Sequence, residues 1–73
     1  MKLRYDAQVR GCTHVGPGDY VKIGEAWKRI AFNTATGEPT TPRSWIVETE
    51  DGNTYDMFEI NLYAKAGDFD HAE

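Results

Sequence analysis

Tyr20, Lys22, Trp27 and Arg29 interleave two aromatic rings with two cations. Rings flanked by bases can stack on nucleobases, hold a cation in a cage, or anchor a protein interface, where Trp, Tyr and Arg carry a disproportionate share of the binding energy. These four side chains share a face only if residues 20–29 fold back on themselves. Gly24-Glu25 supplies the turn, because a two-residue type II′ connection needs a first central residue with φ > 0. With Ile23 opposite Ala26, Lys22 faces Trp27, Val21 faces Lys28, Tyr20 faces Arg29 and Asp19 faces Ile30. Strand alternation then sorts Val21, Ile23, Ala26, Ile30 and Phe32 to an apolar face and the aromatic and cationic residues to the other.

A second candidate surface is acidic: Glu48, Glu50, Asp51, Asp56 and Glu59 fall on a second hairpin and the turn after it. Such a patch could meet a basic partner, with complementary charge speeding encounter and fixing register. It could equally be a solvated strand end that discourages edge pairing. Cys12 and His14 are metal-ligand types at a spacing of two, but zinc needs three or four ligands and the other histidine, His71, lies at the end of the chain. The same pair lacks a third group to orient a base for nucleophilic catalysis. Gly16-Pro17-Gly18 lacks the Lys-Ser/Thr end and following helix of a phosphate loop. No enzyme chemistry, metal or cofactor is therefore expected.

With 73 residues the chain makes one domain, and a chain this short buries only about 60% of its unfolded surface. A deep catalytic cleft is not expected, and oligomerisation would add stability that a small core lacks. A homo-oligomer is accordingly the expectation, favoured by surplus aromatics. One cysteine and no signal-peptide pattern point to a reducing, cytoplasmic setting, and no apolar run is long enough to span a membrane. The net charge of −4 is unevenly spread: residues 1–47 carry seven bases and four acids (net +3), residues 48–73 one base and eight acids (net −7).

In chain order, Leu3, Tyr5, Ala7 and Val9 alternate with polar residues and predict a half-buried first strand. Glycines and Pro17 make Gly11 to Asp19 a loop before the central hairpin, and Asn33 to Ser44, with Gly37, Pro39 and Pro42, makes a second loop. Asp51-Gly52 marks the second hairpin. A two-residue turn there sets Glu50 opposite Asn53, Glu48 opposite Tyr55 and Ile46 opposite Met57, and avoids placing Glu48 against Asp56. Phe58 to Asn61 predicts one helical turn and Leu62 to Ala64 a last strand. The fold class is all-β, a small, partly open barrel of five or six short antiparallel strands. Residues 1–66 form the domain and 67–73 an acidic, frayed tail.

The run Gly18-Asp19-Tyr20-Val21-Lys22-Ile23, with Trp27, Ile30, Trp45-Ile46-Val47 and Asp51-Gly52, resembles the small SH3-like barrels, including Tudor-like and KOW-like modules. With Leu62-Tyr63-Ala64-Lys65-Ala66-Gly67-Asp68-Phe69 added, the pattern is also similar to small proteins encoded by phages of actinobacteria. The resemblance covers about residues 15 to 69. It implies a non-enzymatic binding module, and for Tyr20 and Trp27 it implies an aromatic cage. The leading functional expectation is a phage-related protein that binds and inhibits a host protein. Nucleotide or nucleic-acid binding through Tyr20, Lys22, Trp27, Arg29 and Arg43 is the alternative, although the net negative charge opposes duplex DNA. A self-assembling structural subunit is the third.

Overall fold

The computed structural model describes residues 2–70. Seven antiparallel strands are present among them: β1 (Lys2–Leu3), β2 (Tyr20–Ile23), β3 (Ala26–Asn33), β4 (Ile46–Thr49), β5 (Thr54–Asp56), β6 (Leu62–Ala64) and β7 (Phe69–Asp70). Five form one sheet in the order β5-β4-β3-β2-β6, and β1 pairs with β7 in a separate ribbon. β5 and β6 remain at opposite edges, so the sheet is partly open. Helical structure among the described residues is confined to single 3₁₀ turns.

The central hairpin has the predicted register at every paired position from Ile23↔Ala26 to Tyr20↔Arg29. Gly24 takes φ +59° and Glu25 does not share a positive φ, as a type II′ turn requires. Farther along β3 the pattern breaks. Ile30 pairs with Thr49 but Phe32 with Glu48, a bulge at Ala31 that gives β3 one extra residue. Residues beyond the bulge swap faces. Phe32, expected inside, is 56% exposed, and Asn33 is buried in its place.

Inside the curl of the sheet, Val15, Val21, Ile30, Val47 and Ile60 form the core, with Ile23, Trp45, Tyr55 and Tyr63 packed against it. Asn33 is the polar member. Its amide donates to the carbonyls of Cys12 and Val15 at 2.9 and 3.0 Å and its oxygen accepts from Ala35 N. Thr36 Oγ1 adds a bond to Val15 O, and Gly37 N donates to Thr13 O. The two long loops are thereby stitched together, and their backbone groups find partners without a sheet.

The second hairpin differs from expectation by one residue. Val47 pairs with Tyr55 and Glu48 with Thr54. The connection is three residues, Glu50-Asp51-Gly52, closed by Gly52 N to Thr49 O and Thr49 N to Asn53 O, with Gly52 at φ +90°. This is a type I turn followed by a left-handed residue. It puts Tyr55 beside Val47 in the core, and Glu48 meets Thr54 rather than Asp56, so the feared like-charge contact never arises. The helical turn sits at Met57–Glu59, one residue earlier than expected, because Asp56 and Glu59 cap it reciprocally. The last predicted strand, Leu62 to Ala64, is present and returns to pair with β2.

Both ends of the chain depart from expectation. The long first strand shrinks to Lys2–Leu3 because the segment that would pair with its continuation, Ala66–Asp68, is a 3₁₀ turn. Beyond it Arg4 N donates to Asp68 O and Ala7 N to Arg4 O, so the chain turns, leaving Tyr5 and Val9 in solvent. Within the expected tail, residues 67–70 are built into the fold. Ala66–Asp68 make a 3₁₀ turn, Phe69 is 3% exposed, and buried Asp68 accepts a two-pronged bond from Arg10 at 2.8 and 3.0 Å. The remaining tail residues, 71–73, lie outside the described ones.

Candidate functional site

Tyr20, Lys22, Trp27 and Arg29 do share one face of the central hairpin, as their register demands. That face is not bare. The β1–β7 ribbon crosses it, and the Phe69 ring meets Tyr20 edge-on at 4.9 Å between centroids and Trp27 at 5.1 Å. Edge-to-face geometry at these separations is the favoured packing of aromatic pairs. The slot where a base or a cation would lie between Tyr20 and Trp27 is thus occupied by the chain's own ring. Lys22 Nζ lies 6.0 Å from the Trp27 ring centre, at the limit of a cation–π contact. Arg29 reaches Glu50 at 3.6 Å. The aromatic surface is a second, outer core, and the signal that betrayed it was an aromatic residue inside an acidic terminal stretch.

An apolar groove remains beside this outer core. It is lined by Leu3, Ala7, Val9, Trp27, Leu62 and Tyr63, with a volume of about 130 Å³. Tyr63 hydroxyl accepts from the Trp45 indole N–H at 2.8 Å, and burial pushes the Tyr63 phenol above its ordinary range.

The five acids do not act as one surface. Asp51 accepts from Lys28 Nζ at 2.8 Å and from Thr49 Oγ1 and Asn53 N, and these bonds hold its carboxyl far below the usual carboxylate range. Lys28 is raised in turn, chiefly by its bond to Asp51. Glu50 pairs with Arg29, and Asp56 and Glu59 cap the 3₁₀ turn. Glu48 points outward on β4 between Phe32 and Thr54. Its face carries the feature that sequence reasoning missed. Phe32 and Ile46, 56% and 46% exposed, lie diagonally across β3 and β4, and Phe58, 83% exposed, follows from the turn after β5. A bulge with no sequence signature turned Phe32 outward, which is why the patch was not legible.

Cations on the surface are largely engaged. Arg4 pairs with Asp6, Arg10 with Asp68, Lys28 with Asp51, Arg29 with Glu50 and Lys65 with Asp19. Cys12 is buried, its thiol raised by desolvation, whereas His14 is exposed, so the two do not converge. Among the described residues no group of three or more His, Cys, Asp or Glu side chains is arranged to hold a metal. No helix among them is long and apolar enough to cross a membrane. No protein-family model, curated protein or solved structure matches the chain.

Proposed function

We propose that the chain is a non-enzymatic, SH3-like module that works by binding a protein partner. The SH3-like reading is supported by the strand order: a four-strand meander from β2 to β5, a 3₁₀ turn, and a strand, β6, that returns to β2. The binding reading is carried by one observation, the exposed Phe32 and Ile46 on a sheet face that the β1–β7 ribbon leaves uncovered. Apolar side chains grouped on a polar-rimmed surface are what protein interfaces bury. Phe69 in the Tyr20–Trp27 slot tells against base stacking, and the ion pairs of Arg4, Arg10, Arg29 and Lys65 leave few cations for phosphates. Of the aromatics that favour a homo-oligomer, Tyr20, Trp27 and Phe69 pack on one another and Trp45 on Tyr63 within the chain, so self-assembly is not part of the proposal. The resemblance to actinobacterial phage proteins makes a host protein the first partner class to screen.

The test compares immobilised wild type with a Phe32→Ser, Ile46→Ser variant whose melting curve stays cooperative. Proteins retained from actinobacterial lysate by wild type and lost by the variant support the reading. Identical capture by both refutes it.

A further inference from the structure

The outer face of β3, β4 and β5 is anionic as well as apolar. Ile46 is paired with Asp56, and Phe32 with Glu48, which is in turn opposite Thr54. Residues directly opposite in an antiparallel pair project to the same side. Glu59 stands next to this set, its Oε2 accepting from Asp56 N at 2.9 Å. Lys28 and Arg29, which neutralise the neighbouring Asp51 and Glu50, do not reach Glu48, Asp56 or Glu59. None of these three has an ion-pair partner among the described residues.

Two structural points restrict what can sit there. A second copy docked face to face across a two-fold axis would set these carboxylates against their own images, which opposes self-association through this surface. A partner strand added at the β5 edge is also disfavoured. The Thr49 N to Asn53 O bond makes 49 and 53 a bonded pair, so alternation turns the Asp56 N–H outward to the edge, where Glu59 already takes it. Docking is therefore onto the face, by a surface of opposite charge.

Resting on the protein-binding reading above, we infer that this face takes a cationic, amphipathic segment of another protein. An aliphatic or aromatic anchor would lie over Phe32 and Ile46, and Lys or Arg side chains would meet Glu48 and Asp56.

Three peptides of about 18 residues, long enough for several helical turns, make the probe set. They share the same Leu and Phe positions and carry Lys, Gln or Glu at the polar ones. Each is titrated into the ¹⁵N-labelled full chain at low and high salt. The Lys peptide should shift the amides of Phe32, Ile46 and Glu48 and bind about tenfold tighter than the Gln peptide, an advantage that shrinks in high salt. The Glu peptide should not bind. In a Glu48→Lys, Thr54→Lys variant, which leaves the Asp56–Glu59 cap untouched and sets two cations against its two carboxylates, the Lys peptide should lose its advantage over the Gln peptide. Equal binding of the Gln and Lys peptides at this face overturns the charge inference and leaves the docking reading standing. Shifts confined to other acidic surfaces overturn the placement. A face that none of the three peptides shifts overturns both readings.

Discussion

Replacing Phe69 by alanine tests whether the ribbon is truly packed on the Tyr20–Trp27 face. The side chain is 3% exposed and lies edge-on to both rings. Truncating a buried phenylalanine costs about 3–5 kcal/mol, and each aromatic pair adds about 0.5–1.5 kcal/mol beyond area burial. The lower end applies here, because a two-residue strand can settle partly into the space left behind, so a loss of about 3 kcal/mol is expected. A domain of this length has a total stability of about 4–11 kcal/mol. The variant should therefore melt about 12–24 °C lower while remaining folded in the cold. Urea unfolding followed by tryptophan fluorescence reads the change, since Trp27 sits against the missing ring. Tyr5→Ala serves as the control: its side chain is fully exposed and its effect should stay within about 0.5 kcal/mol. If Phe69→Ala costs no more than Tyr5→Ala, the ribbon is not docked and the aromatic slot is open to ligands.

Gly24→Val should cost about 1–2 kcal/mol and Glu25→Val little, because Gly24 alone holds a left-handed φ in that turn; equal midpoints in chemical denaturation would contradict the type II′ geometry. Asn33→Ala should cost about 2–4 kcal/mol by calorimetry, since it takes the side-chain partner from the Cys12 carbonyl and the Ala35 N–H and leaves Val15 O to Thr36 alone, and a loss below about 1 kcal/mol would mean those groups are solvated. Asp68 is held below its ordinary pKa, first by its bond to Arg10, so its contribution is complete above the usual carboxylate range and disappears as pH falls through the lower folded value. Asp68→Asn should accordingly be less stable than wild type at neutral pH, with the gap closing below about pH 4; a gap that stays constant with pH would refute the ion-pair account.

The central hairpin was legible because a single residue decided it: Gly24 could take a conformation its neighbours could not, and the alternating pattern fixed every pair after that. The second hairpin slipped by one residue because a Glu48–Asp56 repulsion counts against a three-residue turn only if that turn pairs the two, and the register that forms pairs Glu48 with Thr54. Burial of Tyr55 beside Val47 and the Thr49–Asp51–Asn53 bonds select that register. The bulge at Ala31 depends on tertiary demand for a buried amide at Asn33, which no local pattern announces. Charge misled at the C-terminal end, where Asp68 and Asp70 masked the pull of Phe69 toward the core. At the N-terminal end the alternation of Leu3 to Val9 was genuine, but beyond Leu3 the facing segment coils into the Ala66–Asp68 turn and offers no strand to pair with. The candidate site was read correctly as a shared face and incompletely as a surface, since the ring that fills it comes from some forty residues farther along the chain.

The pairing of positions 2 and 70 makes the ribbon the closing contact of a loop that runs through the whole described chain. Bringing such distant ends together in an unfolded chain carries the largest loop-closure entropy available to this protein. The ribbon is thus expected to wait until the sheet has formed and holds the two ends near each other, and to open first when the protein fluctuates. The amide hydrogen of Arg4, bonded to Asp68 O where the ribbon ends, would then exchange through a shallow local opening, while those of Val21 and Val47 wait for global unfolding. Each such opening briefly uncovers Tyr20 and Trp27, so the chain passes through a state with exposed aromatics on its way into the fold and, at low population, after it.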